Sequence, residues 1–296
     1  MSQLQPFLTS DELPPSRNRG SWGKTVVGVI VVLVIAGLAF GAVNLVRGSS
    51  GNDAAATATA SPSAEAKKLV VTEGLRLSET VNVAAQDTGL PKADFQLALQ
   101  SPRALGLPAW AKGRPEGFLF PATYDVAGNE TADEVLGRMV KRFNQASADL
   151  DLENRARKRG MTPYQVLTIA SILQAEVAPQ DFAKVARVIM NRLDANMPLQ
   201  LDSTVNYVLG IRESVLNEDQ LATKSEYNTY LVEGLPPTPI NSPGADAIDA
   251  ALNPAKGDWL YFVTVDPETQ NTKFTNSYEK FLKFKEQFLA NVQKAS

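Results

Sequence analysis

Residues 25–46, T-V-V-G-V-I-V-V-L-V-I-A-G-L-A-F-G-A-V-N-L-V, carry no charge and one strongly polar side chain, Asn44. As a helix these 22 residues would cover roughly 33 Å, enough to cross the hydrocarbon core of a bilayer. The run therefore divides the chain into a short tail, residues 1–24, a transmembrane helix, residues 25–46, and everything that follows. Arg17, Arg19 and Lys24 precede the run, and only Arg47 follows it closely. That bias predicts a single-pass cell-membrane protein with its N-terminus in the cytoplasm and its body outside. The alternative is a cleaved leader, but the run exceeds the apolar core of a signal peptide, roughly 7–15 residues. Residues 47–66 are mostly small and polar and read as a flexible linker. Its last nineteen residues, 48–66, have a typical end-to-end distance on the order of 25 Å. Whatever follows is expected to stay close to the outer membrane face.

The whole chain has a net charge of −3, which argues against a nucleic-acid partner, since phosphate binding needs a basic face. It has no cysteine and no histidine. That removes disulfides, thiolate and imidazole metal sites, and the Ser–His and Cys–His nucleophile arrangements. Acid–base chemistry near neutral pH must then come from Asp, Glu, Lys or Tyr with a displaced pKa. The expected site holds neither metal nor cofactor.

Residues 67–104 read as a strand from K-K-L-V-V, a turn at Gly74, a helix from Ser78 to about Gln86 and a second helix from Lys92 to Leu99. Strand, helix, helix is the outline of a LysM-like subdomain; a packing unit without glycan contact fits the same outline. Residues 105–296 form the larger domain. The apolar, aromatic G-F-L-F-P-A-T-Y-D-V (117–126) looks strand-like. Thr131 to Asn144 has the stripe of an amphipathic helix, Thr162-Pro163 opens a helix ending near Glu176, and Asp181 to Leu193 opens another. Further on come a helix near 244–252, a buried strand in W-L-Y-F-V-T-V (259–265) and a final helix from about Ser277. Helices and short strands without a βαβ rhythm predict an α+β fold.

The helix 163–176 poses the chemical question. Ile169, Ile172 and Leu173 recur at helical spacing, and Glu176 continues their stripe. An apolar setting disfavours ionisation. So does a helix C-terminus. A carboxyl that keeps its proton near neutral pH suits protonation of a glycosidic oxygen. The plain alternative is a buried Glu paired with an arginine such as Arg187 or Arg192. Gln200, Asp202, Ser203 and Thr204 follow on a polar stretch, where Asp202 or Ser203 is a natural N-cap for a short helix over Val205–Leu209. The segment 227–244 combines Tyr227, Asn228, Tyr230 and Asn241 with Pro236, Pro237, Pro239 and Pro243. Proline lowers the entropy lost on ordering such a loop, and tyrosine faces and amides are groups that sugars contact.

These stretches carry a resemblance. E-G-F-L-F-P-A-T-Y (116–124), L-T-I-A-S-I-L-Q-A-E (167–176), V-I-M-N-R-L-D-A-N-M-P-L-Q-L-D-S-T-V-N-Y (188–207) and Y-N-T-Y-L-V-E-G-L-P-P-T-P-I-N-S-P-G with A-L-N-P-A (227–255) are similar to the endolytic murein transglycosylases, the YceG-like or MltG family. The resemblance implies a lytic transglycosylase that cuts inside peptidoglycan glycan strands, with Glu176 as its catalytic acid. It further implies partnership with penicillin-binding synthases and the elongation or division machinery. Gln200, Asp202, Thr204, Tyr227 and Asn228 are the residues expected to position sugars. The chain departs from the family pattern at Gln174, where many relatives have a second glutamate, and at Leu201 and Ser203 in a loop that often reads Q-S-D-P-T-V. Two other readings remain at this point. One is a hydrolase that uses Asp202 or Glu226 to activate water. The other is a glycan-binding scaffold with no chemistry at all.

Overall fold

A computed structural model describes residues 67–295. The tail, the apolar run and the linker, residues 1–66, lie outside the described residues, so the expected transmembrane helix does too. No helix among the described residues is long and apolar enough to cross a membrane.

The fold is α+β, as the sequence predicts. Strand β1 (Lys67–Val71) leads into α1 (Leu77–Thr88) and α2 (Lys92–Ala98), and β2 (Ala122–Val126) returns antiparallel to β1, with Lys67 opposite Val126 and Val71 opposite Ala122. Helix α1 starts one residue before the expected cap. Arg76 occupies the N-cap position, and its N–H is taken by the Glu79 carboxylate at 2.8 Å, so Ser78 sits inside the first turn. The sheet crosses the boundary expected at residues 104/105, because the partner of β1 lies at 122–126. Only the end of the strand-like 117–126 run is a strand. Gly117 has φ +89°, and Phe118, Leu119 and Phe120 turn into the interior.

Helix α3 (Ala132–Asp149) joins two cores. Thr131 caps it by accepting the Glu134 N–H, and Glu134 reciprocates on the Thr131 N–H at 2.8 Å. Its first half, Val135, Leu136, Met139 and Val140, packs with Leu69, Val81, Phe95 and Tyr124 in one apolar cluster. Its second half, Phe143 and Ala146, enters another cluster centred on α5. After α4 (Leu152–Lys158), Thr162 accepts the Gln165 N–H, with Pro163 in the first turn, and starts α5 (Pro163–Glu176). Every residue from Val166 to Leu173 is buried. A helix apolar on all sides belongs in an interior, and here α6 (Phe182–Asp194) and α9 (Ala245–Leu252) cover it. Between them lie α7 (Asp202–Leu209) and the short α8 (Glu218–Leu221).

The chain ends in an antiparallel hairpin, β3 (Tyr261–Asp266) and β4 (Asn271–Thr275), followed by α10 (Tyr278–Ala295), which packs against β3. The strand expected to be buried is only half-buried apart from Val265. A two-stranded sheet covered mainly by α10, with α6 touching β3, leaves much of its surface open.

Candidate active site

Glu176 is the last residue of α5, and Val177 breaks the helix in an extended conformation. The carboxylate meets the start of α7, where the Ser203 N–H donates to Glu176 Oε1 at 3.2 Å. The first amides of a helix have no partner inside it, and they suit an anion. Two helix ends therefore oppose one another at Glu176. The C-terminus of α5 disfavours its charge, and the N-terminus of α7 supports it. Desolvation outweighs the Ser203 hydrogen bond, the negative charge of Asp202 adds to it, and the carboxyl is pushed up to about 7. Near neutral pH such a group can both give and take a proton.

The plain alternative for Glu176 does not hold. Arg187 donates to the Ala255 carbonyl at 2.6 Å, and buried Arg192 donates to the carbonyls of Pro198, Leu199 and Leu260. Neither guanidinium bonds to Glu176. Both hold loop backbone around α6.

Asp202 and Ser203 do not act as N-caps, because α7 begins at Asp202 and Leu201 takes the cap position. The Asp202 carboxylate instead accepts the Tyr230 hydroxyl at 2.5 Å. Burial raises Asp202 and the tyrosine donor lowers it, the burial being the larger effect. Tyr230 itself is pushed well up, chiefly by burial and then by the charge of Asp202. Glu176, Ser203, Asp202 and Tyr230 thus form one cluster. Sequence reasoning placed Asp202 among the sugar contacts and counted Tyr230 only as one of the loop tyrosines, not as the partner of Asp202.

The other expected residues lie around this cluster. Gln200 adopts φ +50°, unusual for a residue with a side chain, and its N–H donates to the Thr229 carbonyl at 3.0 Å. Thr204 is fully buried, donates to the Leu201 carbonyl at 2.7 Å and shares a hydrogen bond with Thr229. Asn228 is also fully buried, and its amide donates to the carbonyls of Leu221 and Thr223. Thr204 and Asn228 brace the loops beneath the cluster; their side chains present nothing to a ligand. Half-buried Tyr227 stacks at a tilt on Tyr207, with centroids 5.1 Å apart, and its hydroxyl pairs with Thr238 at 2.9 Å. Glu226, the other candidate for activating water, is exposed.

Gln174, the departure from the family pattern, has a structural task. Its side-chain oxygen accepts the Gly244 N–H at 3.1 Å, at the start of α9. A groove of about 640 Å³ lies at the other end of α5, against Trp110, Tyr164, Thr168, Met190 and Pro236. It includes none of the expected site residues. Among the described residues no group of three or more acidic side chains is placed to hold a metal ion.

Sequence reasoning also missed Glu116. It is only 7% exposed, accepts the Leu77 N–H at 2.9 Å and the Tyr207 hydroxyl at 3.0 Å, and is pushed up to about 7 by desolvation. Its signals were a carboxylate opening an otherwise apolar and aromatic run, and its place at the head of a stretch that carries the family resemblance.

The chain is similar to several known proteins. An endolytic murein transglycosylase of Bacillus subtilis is 31% identical over 240 residues, 76% of this chain and 66% of that protein. One from Streptococcus pneumoniae is 36% identical over 162 residues, 52% of this chain and 28% of that longer protein. The chain therefore spans just under two thirds of the first relative and little more than a quarter of the second. A crystal structure of a yceG-like protein from Listeria monocytogenes superposes with a TM-score of 0.66 at 32% identity, covering 73% of this chain and 75% of that one. The YceG-like family matches residues 25–287, nearly the whole sequence, and the chain belongs to it.

Proposed function

We propose that this protein is an endolytic lytic transglycosylase. In this reading it cleaves the bond between N-acetylmuramic acid and N-acetylglucosamine inside nascent peptidoglycan strands and leaves 1,6-anhydromuramoyl ends. The observation that carries the proposal is the setting of Glu176, a carboxyl pushed up to about 7, with no cationic partner, held by the first turn of α7.

Glu176 protonates the glycosidic oxygen, and the bond from that oxygen to C1 of the muramoyl sugar breaks. Positive charge at C1 is then met by the 6-hydroxyl of the same sugar. The Glu176 carboxylate takes the hydroxyl proton and is ready for another cycle. No water is consumed, and one carboxyl serves as acid and then as base, so the fixed pair of ordinary glycosidases is not needed. An internal nucleophile brings the advantage of proximity. Burial keeps Glu176 protonated until it is used, the charge of Asp202 adds to that, and Tyr230 holds Asp202. Gln200 and Tyr227 are the expected residues with side chains left to face sugar.

The apolar run 25–46 would anchor the enzyme, with the catalytic body outside and near the membrane, where new strands emerge. The strand–helix–helix–strand unit of β1, α1, α2 and β2 would then serve as the LysM-like module. Penicillin-binding synthases and the elongation or division machinery are the expected partners, through which cleavage would terminate or size glycan chains.

The test is to incubate the full-length protein with uncrosslinked peptidoglycan and read product ends by mass spectrometry, with Glu176→Gln alongside. Anhydro ends that vanish in the variant are expected. Reducing ends would make the protein a hydrolase, with Asp202 the carboxylate to examine next. Cleavage by neither protein, on material that a muramidase cuts, would leave a glycan-binding scaffold.

A further inference from the structure

Helix α7 holds Glu176 at its first turn, and something must hold α7. At its other end Tyr207 is half-buried. The Tyr207 ring lies against Tyr227 and beneath the Arg76 guanidinium, 5.8 Å from the ring centroid. Its hydroxyl donates to Glu116 Oε2 at 3.0 Å. Glu116 Oε1 accepts from the Leu77 N–H at the start of α1. Arg76 also donates to the carbonyls of Asn206 at 3.1 Å and Ile211 at 2.5 Å, so the start of α1 grips the end of α7 from two sides. The backbone beside Glu116 is tightly packed. Gly117 next to it lies so close to Pro239 that a Cβ there would stand 2.7 Å from the ring.

We infer that Glu116 is a positioning residue, which ties the start of α1 to the Tyr207 hydroxyl and thereby fixes α7 so that the Ser203 amide stays on Glu176. The inference rests on the reading of Glu176 as the catalytic acid. The N-terminal unit then has a part in the reaction without touching the scissile bond. Its first helix sets the angle at which α7 presents Asp202 and Ser203. Both oxygens of Glu116 have donors and the side chain is 7% exposed, so it has no free face for substrate.

The experiment compares full-length Glu116→Ala, Glu116→Gln, Tyr207→Phe and the double variant Glu116→Ala/Tyr207→Phe. Tyr207→Phe removes one hydroxyl and keeps the packing, so it remains informative if Glu116→Ala folds poorly. Loss of one buried hydrogen bond is expected to lower kcat by about five- to tenfold, with KM changed less than about twofold. Glutamine can accept from Leu77 and donate to the tyrosine oxygen, so Glu116→Gln should keep most of the activity. The double variant should be no slower than the worse single, because either change cuts the same tie.

A second readout needs no turnover. Hydrogen exchange of the first turn of α7 should quicken in Tyr207→Phe and stay slow in Glu116→Gln. Wild-type kcat in a folded Tyr207→Phe, losses that multiply in the double variant, or unchanged exchange at α7 would each overturn the inference. A wild-type protein that makes no anhydro ends would instead strike the transglycosylase reading, and the exchange result would still decide the role of Glu116.

Discussion

Glu116 and Glu176 are two carboxyls with the same displacement and opposite circumstances. Desolvation pushes each up to about 7. Glu116 is 7% exposed, with an amide on one oxygen and a tyrosine hydroxyl on the other. Glu176 is only partly buried and is held by Ser203 alone. A raised pKa therefore does not by itself mark a catalytic acid. What separates the two is unsatisfied capacity, since a saturated carboxyl builds structure while one with room for another donor can meet a substrate.

The largest expected effect tests that distinction directly. Glu176→Gln keeps the shape and removes the proton-transfer group, and general acid catalysis contributes roughly 10²–10⁴ in rate. Turnover should fall by about 10³ while the thermal unfolding profile at pH 6 stays within a few degrees of wild type. Glu116→Gln should lose less than about threefold under the same assay. If both glutamines lose activity equally, the saturation argument fails.

Stability against pH sharpens the comparison from the other side. A carboxyl whose folded value lies above its unfolded value of 4.5 favours the folded state most below that value, and this contribution is lost as pH rises through about 7. Each tenfold step in a protonation equilibrium is worth about 1.4 kcal/mol, so ionising Glu116 costs up to about 3 kcal/mol of stability at pH 8. Glu116→Gln should therefore flatten the decline between pH 5 and pH 8, read by denaturant unfolding at each pH. Glu176→Gln should do the same to a similar extent, since the two carboxyls are displaced alike. A wild-type protein with no decline over that interval would show that neither carboxyl is held protonated.

Much of this was legible in the residues. Thr162, the proline after it and the apolar stripe marked out α5 and placed Glu176 at its end. The α+β class followed from the same spacing. What could not be read was pairing across the chain. The partner of β1 lies more than fifty residues away, and no local signal in 67–104 points to it. Thr204 and Asn228 have the chemistry of sugar contacts, yet their partners, Thr229 and the carbonyls of Leu221 and Thr223, come from loops whose meeting only the fold decides. Tyr230 and Glu116 were visible as residues but not as neighbours of Asp202 and Tyr207.

Glycine 117 gives the next prediction down in size. Its φ of +89° and its approach to Pro239 both exclude a Cβ, and the turn it allows brings Glu116 under Tyr207. Gly117→Ala should cost about 2 kcal/mol in chemical denaturation, by left-handed strain and local overpacking together. It should also lower turnover more than its loss of stability explains, because the turn carries Glu116. A variant with reduced stability but full activity at a temperature where it is folded would separate this turn from the acid.

The smallest effect concerns the field at Glu176. The Asp202 anion lies beside it and raises its pKa, after desolvation. An acid that must be protonated loses activity as pH climbs through its own value, so the alkaline limb of kcat/KM reports Glu176 in the free enzyme. Asp202→Asn removes the neighbouring charge, and the limb should move toward lower pH. Tyr230→Phe acts in the same direction by another route. Without its donor Asp202 is pushed further up, so its charge is less favoured and it repels the Glu176 anion less. Two variants of different chemistry should then shift one limb the same way, and the double variant should add little to Asp202→Asn. A limb that stays put in both would mean that burial alone sets the acid, and the Asp202–Tyr230 pair would be left as a brace for the first turn of α7.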